Sequence, residues 1–258
     1  MPFPVPVEAF EALTLVLFRI TALFLSAPLF SSRDFPVPLK VGFGLLVSLV
    51  IFPLVPAASL PDNLGGYAGC VAAELGVGLT LGFAATLVFS AFQLSGQHVA
   101  QQMGVAMADV VDPFSESEVP VIGQFQFFLA LSVYVACGFH RTLLAATAES
   151  FRILPLGSFR PTPGLVDHLV GSFGSMLLLS FQIAAPVLVA LFLSTVALGF
   201  VSRAVPQINV FLLSFPIQIG LGLGMMIWTM PVLVHAALKA CEGLSGDIQG
   251  ILEAATRG

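Results

Sequence analysis

Residues 67–94 read YAGCVAAELGVGLTLGFAATLVFSAFQL, with Glu74 as the single charged residue. The run is longer than the roughly 20 apolar residues that span a bilayer core. Every fourth residue from Glu74 gives Gly78, Gly82, Thr86 and Ser90, a polar-to-small stripe, whereas Leu79, Phe83 and Leu87 form a large apolar one. Small residues at this spacing let a neighbouring helix approach closely where lipid offers no hydrophobic drive for association. The stripe is therefore an interface, and contact within the chain and contact with another subunit are both open.

The stripe continues into SGQHVAQQMGVAMADVVDPFSESEV, residues 95–119, as Gly96, Ala100, Gly104 and Ala108. Helix is expected into the early part of this stretch, with Asp112-Pro113 ending it. It is the one long interruption in an oily chain, mixing amides, small residues, methionines and then acids.

Composition sets the class. Of 258 residues 57% are hydrophobic and only 9% charged, and the mean hydropathy is +1.02. Soluble domains carry about a quarter charged residues, so this is a protein of membrane class, and its apolar runs of bilayer-spanning length make the expected fold all-α. Trp and Tyr, which usually mark both membrane interfaces, number one and two against 24 Phe. The net charge of −5 and the lack of a basic cluster exclude nucleic acid as a partner. Cys70, Cys137 and Cys241 are isolated among apolar or small residues and read as packing residues.

Glu8 and Glu11 precede the first apolar run, a charge order wrong for a cleaved signal peptide, so residues 7–30 are expected to persist as a helix. Arg19 in its middle is costly in hydrocarbon and must face protein, with a carboxylate or carbonyls as partner. A Pro-rich turn at 31–40 leads to a second run, 41–55, closed by Pro53 and Pro56. After Pro120 an apolar run extends to Phe139, followed by a helical segment bearing His140, Arg141, Glu149 and Arg152 that ends near Leu154-Pro155.

The loop 157–164 is the best internal boundary. Beyond it lies a hairpin, one arm over 169–201 with Pro186 inside, the other from Pro206 to about Lys239 with Pro216 and Pro231. Arms of this length approach ~50 Å, too long for a hydrocarbon core of ~30 Å unless kinked or tilted. With six spans, loop charge is only weakly biased: Arg141, Arg152, Arg160, Lys239 and Arg257 on one side, Arg33, Lys40 and Arg203 on the other. Weak bias and overlong arms point to helices covered by other protein more than by lipid.

Signatures of enzyme chemistry are sparse. Gly243-Leu244-Ser245-Gly246 is similar to the motif of rhomboid intramembrane proteases, but a C-terminal turn beyond the last apolar run explains it better. The acids after Ala108 fail the EF-hand pattern, the four histidines lack metal spacing, and no phosphate-binding glycine pattern occurs. No cofactor, metal or catalytic residue is expected.

Together these features resemble the FliR family of the flagellar type III export gate, which has a virulence counterpart in injectisomes. The resemblance rests on Arg19, Ala27-Pro28, Arg33, Pro38 and Lys40; on Glu74, Gly78 and Gly82; on Gly96, Gln102-Met103-Gly104 and Asp112-Pro113; on His140, Ser150 and Leu154-Pro155; and on Gly199, Arg203, Pro206-Gln207, Asn209, Phe211 and Pro216. One departure is visible, since Phe139 stands between Gly138 and His140 where the family has glycine directly before the histidine.

The resemblance implies a non-enzymatic subunit of a hetero-oligomeric helical gate in the bacterial inner membrane, at a flagellar basal body or injectisome base. FliP-like and FliQ-like subunits and an FlhB-like switch protein would be partners, and unfolded export substrates the cargo. It also implies a fold of long, Pro-kinked, tilted helical hairpins: a FliP-like portion over 1–164, with a plug loop at about 104–119, joined to a FliQ-like hairpin and tail over 165–258. Met107, Val110, Val111, Pro113 and Phe114 would form a displaceable apolar stopper, methionine being adaptable to many surfaces. Asp109, Asp112, Glu116 and Glu118 would keep its flanks wet. Arg19, Glu74, Gly78, Gly82, Gly96 and Gly104 are assigned to subunit packing. Of the turn Arg203, Pro206, Gln207 and Asn209, Arg203 is expected to dock a partner and Asn209 to cap a helix. The alternative is a polytopic secondary transporter for a small solute, although no repeat between halves supports it.

Overall fold

A computed structural model describes residues 7–28, 36–56, 60–61, 63–105, 121–207 and 209–256. Among the described residues all regular structure is helical: α1 Val7–Ser26, α2 Val37–Ile51 with a 3-10 turn Phe52–Leu54, α3 Leu64–Gln102, α4 Val121–Ala136, α5 Phe139–Ile153, α6 Pro163–Ala204 and α7 Val210–Thr256. Five of these stretches, α1, α2 with its 3-10 turn, α3, α6 and α7, are long and apolar enough to cross a membrane, and α4 with α5 makes a sixth if the pair is one span. The count is thus five or six, and the six spans counted from the sequence correspond to the reading in which α4 and α5 form one bent span.

Local chemistry accounts for the ends. Pro38 sits in the first turn of α2, where its missing N–H costs nothing, and the Leu39 and Lys40 N–H groups bond the Pro36 carbonyl. Gly138, at φ +74°, starts α5, so the glycine itself makes the turn despite the intervening Phe139. Thr162 caps α6, its Oγ1 accepting the Leu165 N–H at 3.1 Å with Pro163 as first helical residue.

Several boundaries differ from expectation. Helix α1 ends at Ser26, short of residue 30, and α2 begins at Val37, inside the stretch read as a turn, because Pro36 and Pro38 open the helix where proline is tolerated. Helix α3 stops at Gln102, well before Asp112, because Gly104 takes a left-handed φ of +76°. The Val105 N–H then bonds the Ala100 carbonyl and the Gly104 N–H that of Gln101, a Schellman ending. Helix α6 begins at Pro163, ahead of Leu169. Helix α7 runs on to Thr256, so Ser245 lies in a helix and not in a turn. The reason is a buried stripe at Cys241, Leu244, Ile248, Ile251 and Ala255, whose 3–4 spacing continues the helix through three glycines.

At 42 and 47 residues, α6 and α7 reach about 63 and 70 Å, twice a hydrocarbon core. Both carry exposed large apolar residues, including Phe192 and Phe200 on α6 and Ile227 and Trp228 on α7.

The chain forms two compact units: Met1–Val88, Gly138–Phe173 and Cys241–Gly258 in the first, Phe89–Cys137 and Gly174–Ala240 in the second. The first buries Leu15, Ile20 and Phe24 of α1 with Ile51, Cys70 and Phe151. The Thr162 hydroxyl also donates to the Ala254 carbonyl, tying the start of α6 to the end of α7. In the second, Val99 and Met103 of α3 pack with Ala184, Val187 and Leu191 of α6, and Phe89 meets Tyr134 edge-on at 5.2 Å.

Candidate functional site

The stripe on α3 faces α1. Glu74 accepts from the Arg19 Nε–H at 2.5 Å. A Cβ on Gly78 would collide with the Arg19 carbonyl and lie 2.7 Å from Ala22 Cβ, and one on Gly82 would lie 2.9 Å from the Leu23 carbonyl oxygen. The Thr86 hydroxyl donates to the Ser26 carbonyl at 2.6 Å. Four successive stripe positions thus seat one helix of the same chain, the glycines letting the backbones close and the polar ends bonding across.

Arg19 is the centre of a larger network. Its Nη1 donates to Ser150 Oγ and its Nη2 to the Leu154 carbonyl, both at 3.1 Å, and its guanidinium lies 4.1 Å from the centroid of the Phe151 ring. The second Glu74 oxygen accepts the Gly157 N–H at 2.8 Å, and Ser150 Oγ donates onward to the Thr147 carbonyl at 2.6 Å. Arg19, Glu74, Ser150 and Phe151 have no exposed surface. A buried charge is tolerated only when paired and fully hydrogen-bonded, and here the leftover carbonyl at the end of α5 supplies part of that demand. The turn Pro155–Ser158 completes it. Gly157 adopts φ +73°, and the Ser158 N–H bonds the Pro155 carbonyl at 3.1 Å. The network joins α1, α3, the end of α5 and this turn, and it is closed to solvent.

Sequence reasoning foresaw a carboxylate or carbonyls for Arg19 and found both Glu74 and Ser150 without joining them. Phe151 and Gly157 it missed. Their signal was the co-occurrence of Ser150, Leu154-Pro155 and a glycine two residues on.

In the second unit Gly96 of α3 crosses Gly123 of α4 so closely that a Cβ on Gly96 would stand 2.5 Å from Gly123 Cα. Gly104 ends α3 against the Phe215 ring. The residues assigned to the stopper and its acidic flanks, Met107, Asp109, Val110, Val111, Asp112, Pro113, Phe114, Glu116 and Glu118, lie outside the described residues, as does Arg33. Arg203, Pro206, Gln207 and Asn209 are exposed at the α6–α7 turn, and Asn209 Oδ1 accepts the Leu212 N–H at 3.3 Å, so Asn209 caps α7. Ser245 donates to the Glu242 carbonyl of its own helix. Among the described residues no group of three His, Cys, Asp or Glu side chains could hold a metal ion.

The chain matches the family described as Bacterial export proteins, family 1, over residues 10–244. It is 33% identical to flagellar biosynthetic protein FliR of Bacillus subtilis strain 168, covering 88% of this chain and 89% of the relative. Identity to the Escherichia coli K12 FliR is 28%, over 92% and 89%, and to Yop proteins translocation protein T of Yersinia pestis 30%, over 87% and 88%. The matched span takes in both compact units, the Arg19–Glu74 network and the end of α3, and on that basis the chain belongs to the FliR family, the bacterial export proteins of family 1.

Proposed function

We propose that this chain is a non-enzymatic core subunit of a flagellar or type III protein-export gate in the bacterial inner membrane. With FliP-like and FliQ-like subunits it forms a channel for unfolded proteins, and an FlhB-like protein docks near its entrance. The observation that carries this is the family match over residues 10–244, which spans the stretch 104–119 and the helices on either side of it. Helices twice the thickness of a hydrocarbon core, with apolar residues exposed along them, support an assembly in which other subunits cover much of their length.

In this reading residues 1–164 are the FliP-like portion and 165–258 the FliQ-like hairpin and tail. Met107, Val110, Val111, Pro113 and Phe114 close the resting pore, an apolar constriction free of fixed charge being suited to hold back ions yet yield to a passing chain. Arg203 with Pro206 and Gln207 forms the docking turn. The test is co-expression with the genomic FliP-like and FliQ-like neighbours, extraction in mild detergent and determination of mass and composition. A defined hetero-oligomer that needs both neighbours is the expected result, and a particle of this chain alone, unchanged by them, would refute the assignment. Replacing Met107, Val110, Val111 and Phe114 with Ser should make the assembled gate leak ions, and unchanged leakage would rule out the plug.

A further inference from the structure

The end of α3 is held by a different kind of contact from the one at its start. Met103 is fully buried, and its side chain lies in a notch on α7 at Gly222, where a Cβ would come within 2.7 Å of both Cγ and Sδ. The flanking Gly220 and Gly224 have open space around them, so the notch is one position and not a general thinning of the helix. Two turns earlier on α7 the Phe215 ring covers Gly104, 2.9 Å from where a Cβ would stand. Val105 and Ile122, which lie close to either end of 106–120, both pack on the same cluster as Met103, beside Met225 and Met226.

The side chains that meet here are methionine, phenylalanine, valine, isoleucine, leucine and alanine, with glycine backbone at the notch. Parting them uncovers apolar area and no charge, and methionine refits readily to a changed surface. The Arg19–Glu74 network is the opposite case, since opening it strands a buried charge. The chain thus ties the first half of α3 through a buried ion pair and its end through apolar and ring contacts.

We propose that Met103 in the Gly222 notch, with Phe215 over Gly104, is a releasable clasp that seats the root of the plug on α7 and parts during export. This rests on the plug reading above. Gly222 and Phe215 are accordingly positioning residues: they act through the end of α3 and not on the transported chain.

The decisive experiment uses the assembled gate carrying Met103→Cys and Gly222→Cys, with Cys70, Cys137 and Cys241 replaced by Ala and export by that background established first. Met103 Cγ lies 2.7 Å from where a Gly222 Cβ would stand, so the two Cβ atoms are at most about 4.2 Å apart, within the reach of about 4.5 Å that a disulfide allows. Oxidation should cross-link α3 to α7 and stop export while resting ion leakage stays low, and reductant should restore export. A cross-link that forms without affecting export would overturn the proposal, as would failure to cross-link. In parallel, Gly222→Leu should expel Met103 and raise resting leakage, Met103→Ala in that background should lower it again, and Gly224→Leu should not leak. No leakage from Gly222→Leu would count against the clasp. If the Met107, Val110, Val111 and Phe114 substitutions leak but the cross-link leaves export intact, the plug stands and the clasp falls. If those substitutions do not leak, both fall.

Discussion

Arg19 Nε and Glu74 Oε2 stand 2.5 Å apart, and neither side chain has any surface exposed to solvent. One sits in the middle of the first helix and the other about three turns into the third. The pair, with Ser150, the Leu154 carbonyl and the Gly157 N–H, is the polar knot of the first compact unit.

Breaking this knot from one side should be far worse than removing it. Arg19→Met leaves a buried carboxylate and Glu74→Met a buried guanidinium, each expected to cost about 3–5 kcal/mol. The double variant should be less destabilised than the sum of the two, because neither charge is stranded. Thermal unfolding of the purified assembly in detergent, run as a double-mutant cycle, measures the coupling; additive losses would mean the two residues act independently.

Glycines of this chain should separate into two classes. Gly78→Ala and Gly82→Ala push α1 away from α3 and should lower the amount of assembled protein sharply: a Cβ at Gly78 meets the Arg19 carbonyl, and one at Gly82 meets the Leu23 carbonyl and Ser26 Cβ, which stay in place even if the Ser26 hydroxyl turns aside. Gly174→Ala and Gly199→Ala on α6 meet nothing within 4 Å, and should stabilise by roughly 0.5–1 kcal/mol through helix propensity. Quantifying the four variants in membranes and by thermal unfolding checks both halves.

At Gly157 two demands coincide. Its φ is +73°, and a Cβ there would approach Cys70 Sγ to 2.6 Å. Left-handed backbone alone costs a residue with a side chain about 1–2 kcal/mol. Gly157→Ala should exceed that by displacing the N–H from Glu74, and Cys70→Ala should recover only the steric part. A full rescue by Cys70→Ala would show that backbone conformation contributes nothing.

The α6–α7 turn should yield different phenotypes at neighbouring residues. Asn209→Ala removes the cap of α7 and should cost about 1 kcal/mol, whereas Asn209→Asp keeps an acceptor and should be nearly neutral. Arg203→Ala, exposed and outside any packed cluster described, should leave the melting temperature unchanged while weakening co-purification with an FlhB-like partner. Loss of stability without loss of partner binding would remove Arg203 from the docking turn.

Much of this architecture could be read in advance because it follows from short-range rules. Helix number came from apolar runs long enough to span a bilayer, the cap from an asparagine after a proline, and the need for a partner at Arg19 from the cost of charge in hydrocarbon. Helix ends were less legible. The end of α3 was sought at Asp112-Pro113, yet a glycine in left-handed conformation stops it at Gln102, and nothing in the local string distinguishes that glycine from those at 78, 82 and 96, which remain helical.

By itself, then, the amino-acid sequence determined an all-helical membrane-class chain, the positions of most turns, the small-residue stripe on α3 and membership of an export family, since each depends on composition, periodicity or motif order along the chain. Only the tertiary structure decided what the stripe faces, which carboxylate meets Arg19, why Ser150 and Gly157 accompany them, and that Met103 lies in the notch at Gly222. Those pairings join residues between 55 and 135 positions apart. They are set by which helices pack together, and no local pattern records that choice.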